Sequence, residues 1–254
     1  MKLFSQGWRI FVRNFRIWIT NPGAVLPNLI INILFFIIFG AAFSSVTQLP
    51  GFGGDNYYSF YLPMILVQAV VFTSGDSGFA MLTDILSGYF DKLLLAPINR
   101  FSILLGSILT TSARMIIMTA VVIILAYAFG VRYETGILGV LVSLVMCIFF
   151  GIAWSMLGIM IALRTKSVQA TQSSFVVFFP FLFLTSGFLP KDLLTGWFKV
   201  AVNLNPVNYV LESLRALVLT GWDWGTLGPG LGVLVVSTVL LTGVTTYLYR
   251  KATA

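Results

Sequence analysis

Long apolar stretches recur along this chain, each about the length that crosses a lipid bilayer. They fall at 25–43, 58–82, 101–129, 136–163, 170–188 and 229–249. A hydrocarbon core about 30 Å thick takes roughly 20 helical residues. Inside it each backbone N–H and C=O must be bonded within the protein, which a helix does alone. Only 9% of the 254 residues are charged, against about a quarter in a soluble domain. The chain therefore reads as an all-α membrane protein, one bundle of six transmembrane helices spread over residues 1–254.

Several chemistries drop out at once. There is no histidine, which removes most metal sites and most imidazole acid–base catalysis. Cys147 is the single cysteine, so an intrachain disulfide is impossible. The net charge of +7 is no nucleic-acid signal, because the basic residues flank apolar segments instead of forming one patch. The N-terminus does not read as a secretory signal, since an amphipathic stretch precedes the first apolar one.

Orientation follows from Lys and Arg, which are enriched on cytoplasmic flanks. With the N-terminus inside, the inner flanks hold Lys2, Arg9, Arg13, Arg16, Lys92, Arg100, Arg164, Lys166, Arg250 and Lys251. The outer segments hold Arg132, Lys191, Lys199 and Arg215, and most outer polar positions are acidic or neutral. The expectation is a multi-pass protein of the cell (inner) membrane with both termini cytoplasmic.

Three segments are not spans. Residues 5–20 carry Arg9, Arg13 and Arg16 on one helical face and Trp8, Phe11, Val12, Phe15 and Ile19 on another. A basic amphipathic helix with aromatic anchors is expected to lie in the headgroup plane. Between the second and third apolar stretches comes L-T-D-I-L-S-G-Y-F-D-K-L-L-L-A-P-I-N-R, from Leu82 to Arg100. It brings Asp84, Asp91, Lys92 and Arg100 beside three consecutive leucines, and a short helix over 83–96 would present both to another protein. Residues 190–228 hold two apolar runs, each too short to span, separated by Asn203, Asn205 and Pro206. They read as a helical hairpin dipping into the outer leaflet, with Glu212 and Arg215 three apart and able to pair.

Two charges fall inside apolar stretches. Arg114 lies about 20 Å along its helix at 1.5 Å per residue, and an intramembrane ionisable group is by default a functional hypothesis. Its alternative is structural: snorkelling, or pairing with Asp76 or Asp84. Asp76 reads as a polar break in its span or as a functional acid. The fifth stretch is rich in phenylalanine, including Phe175, Phe178, Phe179 and Phe183, and Phe72 adds another ring on the second. Such rings suit flat apolar molecules or serve as packing. Pro180 removes one helix hydrogen bond there and is expected to kink the helix. Gly151, Ala153, Ser155 and Gly158 form a small-residue packing stripe on the fourth.

The order of these parts resembles the type-two ABC transporter permeases, the transmembrane subunits of the daunorubicin-resistance and polysaccharide-export kind. The residues that carry the resemblance are the D-x₆-D-K…P-x-x-R break at Asp84–Lys92 and Pro97–Arg100, and S-G-F-L-P…N-P-V-N-Y-V-L-E-S-L-R-A-L around Asn205, Glu212 and Arg215. It implies a separate ABC ATP-binding subunit and a second permease copy, identical or related. It makes 83–96 a coupling helix, with Asp84, Leu86, Gly88, Tyr89, Asp91, Lys92, Leu94 and Arg100 at the ATPase. Arg9, Arg13 and Arg16 would belong to a connecting helix. The second and fifth spans would line the path, with Phe72, Asp76, Arg114, Phe175, Phe178, Phe179, Pro180 and Phe183 as candidates. The chain has no G-x-x-x-x-G-K-[S/T] phosphate loop, so it is expected not to be the ATPase. ATP and magnesium would be bound by the partner, and no cofactor or metal by this chain.

The function that follows is export of an amphipathic drug, lipid or lipid-linked glycan. An ion- or proton-coupled carrier of hydrophobic molecules is the alternative; the few intramembrane acids argue against it. A membrane enzyme, such as an intramembrane protease or acyl transferase, is disfavoured because this chain has no histidine and no evident Ser–Lys dyad within its spans.

Overall fold

The computed structural model describes residues 2–48, 56–96 and 98–252. Its regular elements among those residues are all helical. Five helices are long and apolar enough to cross a membrane: α2 (Pro22–Ala42), α3 (Tyr57–Leu86), α5 (Arg100–Ala128), α6 (Gly136–Thr165) and α10 (Trp224–Ala252). The others are α1 (Lys2–Ile19), α4 (Tyr89–Leu95), α7 (Val168–Phe183), α8 (Gly196–Leu204) and α9 (Pro206–Leu219). Asparagine side chains start several of them. Asn21, Asn56, Asn99 and Asn205 each accept from a backbone N–H of the first turn, covering donors that have no intrahelical partner.

α3 is the axis of the bundle. Tyr61, Leu62, Met64, Ile65 and Leu66 are fully buried, and α2, α5, α6, α7 and α9 all pack on it. Its closest crossing is with α6. A β-carbon on Gly78 would lie 2.9 Å from the Gly158 backbone, so two glycines allow the helix backbones to touch, the small-residue packing of membrane helices. Ser74 Oγ strengthens the same crossing by donating to Gly151 O at 3.3 Å. By contrast α2 and α10 expose apolar side chains outward, including Ile30, Leu34 and Ile38 on α2 and Val236, Val239 and Leu240 on α10.

α1 does not stand alone. It runs lengthwise along α5, from Ser102 Oγ donating to Leu3 O at 3.2 Å, past Gly7 and Ile10 against Leu105 and Gly106, to Trp18 beside Arg114. Ile10 and Trp18, outside the face expected to enter the headgroups, are buried on α5. On that face Trp8, Val12 and Ile19 are exposed and Phe11 and Phe15 half-buried.

Three boundaries differ from the sequence expectation. α10 begins at Trp224, within the expected 190–228 hairpin, and carries Pro229 inside the helix. α3 continues to Leu86, so Asp84 and Leu86 end a long helix and the short helix begins only at Tyr89. α7 stops at Phe183, although the apolar stretch continues to 188. Asn205 Nδ2, at the head of α9, donates to Phe181 O at 2.7 Å and Leu184 O at 2.6 Å. Those bonds take carbonyls that a continuing helix would have used. α7 thus has 16 residues, about 24 Å at 1.5 Å per residue, followed by an irregular segment.

Candidate functional site

At one end of the bundle α4 is held by a junction of three helices. Gly88 has φ 69°, a left-handed conformation that a β-carbon would strain, and this turns the chain from α3 into α4. Phe90 is buried edge-on to Tyr249 of α10, with centroids 5.7 Å apart. Arg13 of α1 holds Asp84 with both terminal nitrogens, at 3.0 and 3.3 Å. Its guanidinium also lies over the Tyr89 ring, 3.6 Å from the centroid. One arginine therefore ties α1, the end of α3 and the start of α4. On the outer side Leu86, Asp91, Lys92 and Leu95 are exposed, Leu95 by 87%. Arg9 and Arg16 are exposed on α1. Pro97 and the side chains of Leu94 and Arg100 lie outside the described residues.

Above the junction a cleft of about 350 Å³ opens between α1, α3 and α5, lined among others by Asn14, Trp18, Asp76, Asp84 and Arg114. Asp76 accepts from Asn28 Nδ2 of α2 at 2.7 Å. Arg114 is 6% exposed. An ion pair with Asp76 or Asp84, one of the structural alternatives for Arg114, is not formed within 4 Å: the ion pairs among the described residues are Arg13–Asp84 and Arg215–Glu212. Arg13 has taken Asp84, and Asp76 stands beyond 4 Å. What lies next to Arg114 is the Trp18 ring, at 5.4 Å. Asn28 and Trp18 were not singled out in the sequence. Asn28 carries a signal, being a polar residue within an apolar stretch, but Trp18 carries none beyond its place on an amphipathic helix.

One helical turn from Asp76 along α3, Phe72 meets Phe179 of α7 at 6.5 Å. Phe179, Phe183 and Phe188 then stack in a row, with spacings of 5.8 and 6.2 Å and nearly parallel rings. Phe179 and Phe183 are more than a third exposed. Phe178, expected with them, points the other way and is buried 4.7 Å from Trp154 of α6. It is a packing residue, since a helical neighbour stands about 100° around the axis. The Phe175 side chain lies outside the described residues. Pro180 sits within α7, and its carbonyl accepts from Leu184 N at 2.9 Å.

At the opposite end, Arg215 of α9 is buried and fully bonded. It meets Glu212 at 2.7 Å, Ser186 O at 2.9 Å and Phe60 O at 3.3 Å, and its Cζ lies 3.8 Å from the Phe60 ring centroid. Ser186 Oγ also bonds Glu212 and Asn208. This cluster ties the irregular segment after α7 to α9 and α3. Ser186 and Asn208 were not foreseen; N-P-V-N placed asparagines near a helix start but did not say what they reach.

Comparison with known proteins bears on this arrangement directly. The family profile of the ABC-2 type transporters matches residues 5–219. The chain belongs to the ABC-2 type transporter permease family. It is 30% identical over 234 residues to a daunorubicin resistance ABC transporter permease protein, DrrB1, of Streptomyces coeruleorubidus, covering 91% of this chain and 79% of that one. A probable doxorubicin resistance ABC transporter permease protein, DrrC, of Mycobacterium tuberculosis is 25% identical over 227 residues, 89% and 79% of the two chains. A putative transport permease, ycf38, of Cyanophora paradoxa is 27% identical over 218 residues, 85% and 73%. In this ABC-2 permease the family region includes the arginine junction, the cleft, the aromatic row and the Arg215 cluster, and it ends at the last residue of α9.

Proposed function

We propose that this chain is the transmembrane half of an ATP-driven exporter that moves an amphipathic drug, lipid or lipid-linked glycan outward by alternating access. ATP and magnesium are bound by a separate ABC ATP-binding subunit, and a second permease copy, identical or related, completes the path. α4 is the coupling helix and α1 the connecting helix. The single observation that carries this reading, beyond family membership, is the α4 junction. Its exposed leucines and charges form a docking edge, while Phe90, Tyr89 and Arg13 bind the same seven residues to α10, α3 and α1. A push on α4 is thereby transmitted to three helices, and ATP acts through its differential affinity for two conformations.

In the same reading the chain crosses the inner membrane six times with both termini cytoplasmic. The fifth crossing is α7 plus the irregular segment 184–190, whose backbone is bonded at Leu184 by Asn205, at Ser186 by Asn208 and Arg215, and at Phe188 by Tyr57. Residues 190–228 sit at the outer leaflet, with Trp222 and Trp224 as interfacial anchors. The path runs along Asp76, Phe72, Phe179 and Phe183. The exposed apolar sides of α2 and α7 face the second copy, and that of α10 faces lipid. The drug-resistance relatives and the aromatic row both favour a flat amphipath as cargo.

The test is to co-express the chain with an ABC ATP-binding subunit encoded beside it, purify the pair in detergent and measure how much ATPase subunit is retained. Asp91→Ala combined with Leu95→Ala is expected to abolish retention without changing the permease's own elution. Undiminished retention would remove α4 from the coupling role.

A further inference from the structure

We propose that the cleft between α1, α3 and α5 is a binding site for the phosphate of an anionic phospholipid, held by Arg114 with Trp18 beside it. The cleft shares Asp76 with the proposed path, so the inference deepens the export reading by naming a ligand chemistry beside that path.

The argument starts from donors. A guanidinium presents five N–H groups and has no acceptor of its own. Arg114 is 6% exposed, yet it has no hydrogen-bond partner among the described residues, and its Nε is a fully buried orphan. The Trp18 indole Nε1 is a second buried orphan donor, and the ring lies 5.4 Å from the Arg114 Cζ. Each unbonded buried N–H is costly, and a buried unpaired cation more so. Both residues line the same cleft.

The other charges of the cleft are already engaged. Asp84 is neutralised by Arg13 at 3.0 Å. Asp76 has Asn28 as a donor at 2.7 Å; it makes no ion pair within 4 Å, but its charge acts on Arg114 and opposes an anion. That leaves one cation whose geometry suits a forked bond to two phosphate oxygens. The rest of the cleft favours a lipid over a free ion. Ile17 and Phe79 line it, and Ile17 is 52% exposed, an apolar wall beside the polar floor. α1, which forms that wall, also carries the exposed Phe4, Trp8 and Val12, the side chains of a helix facing acyl chains.

The experiment measures lipid binding to the intact chain in dodecyl maltoside, without ATP. The probes are short-chain phosphatidylglycerol, phosphatidylcholine of the same chain length, and inorganic phosphate. Wild type is expected to bind phosphatidylglycerol saturably and in preference to phosphatidylcholine. Arg114→Gln is expected to weaken it about ten-fold or more, as loss of a charge-assisted hydrogen bond implies. Asp76→Asn, which removes the opposing charge, should tighten it. Ala80→Trp fills the cleft with Arg114 in place and should also abolish binding, so the result does not hang on one variant's folding. Equal binding by wild type and both Arg114→Gln and Ala80→Trp would overturn the site. Competition by inorganic phosphate at the same concentration as lipid would overturn the lipid assignment, and tighter binding to phosphatidylcholine would overturn the anionic one.

Discussion

Arg114 and Arg215 are both buried arginines in a chain that is otherwise almost without charge inside. They are nonetheless opposites. Arg215 spends its donors on Glu212, Ser186 and Phe60, and it joins α9 to α3 and to the end of the α7 segment. Arg114 makes no hydrogen bond to a described residue and lies beside an open cleft. A saturated buried cation is a structural clamp; Arg114 is offset only by the charge of Asp76 beyond 4 Å and by the Trp18 ring, which leaves its N–H groups open to another partner.

This contrast can be broken in order of effect. The largest loss is expected for Arg215→Met, which strands Glu212 and two backbone carbonyls; breaking a buried pair costs about 3–5 kcal/mol. Thermal unfolding in detergent should show a sharply lowered midpoint, and a wild-type melt would mean that the cluster is not a clamp. Next comes Asn205→Ala, which removes the α9 cap and two bonds to the α7 terminus. Loss of a cap alone is worth about 1 kcal/mol, and the stranded carbonyls raise the total to roughly 2–3 kcal/mol. Arg13→Ala should be milder in the melt, about 1 kcal/mol or less for a partly exposed pair. It should instead loosen α4 and lower ATPase-subunit retention, and the double variant with Asp84→Asn should be no worse than either alone. The smallest effect is expected for Arg114→Gln. Since it removes a buried charge with no bonded partner, the melt should hold or rise. A large loss there would show that Arg114 is a clamp after all, and the contrast with Arg215 would disappear.

The legibility of the two regions in the sequence differs for the same reason. Glu212 and Arg215 are three residues apart, and helical spacing alone brings them together. Arg13 and Asp84 are 71 residues apart, and nothing local relates them. The sequence offered pairing with Asp76 or Asp84 as one structural alternative for Arg114. It could not show that Arg13 reaches Asp84 first, because that depends on α1 lying along α5 through Gly7 and Gly106. The phenylalanines illustrate the same limit. Composition marked the fifth stretch as aromatic, but only packing against Trp154 separates buried Phe178 from exposed Phe179 and Phe183.

By itself the sequence determined the membrane class, six long apolar stretches of which five form helices long enough to span, the charged break before α5 and the absence of histidine chemistry. These are set by local composition and by the requirement that backbone be hydrogen-bonded in lipid. The tertiary structure alone decided that α3 is the axis, that α7 ends at Phe183, and which of two buried arginines is saturated. Those outcomes depend on contacts between residues distant in the chain, where a side chain of one helix takes up the unsatisfied carbonyls or carboxylate of another.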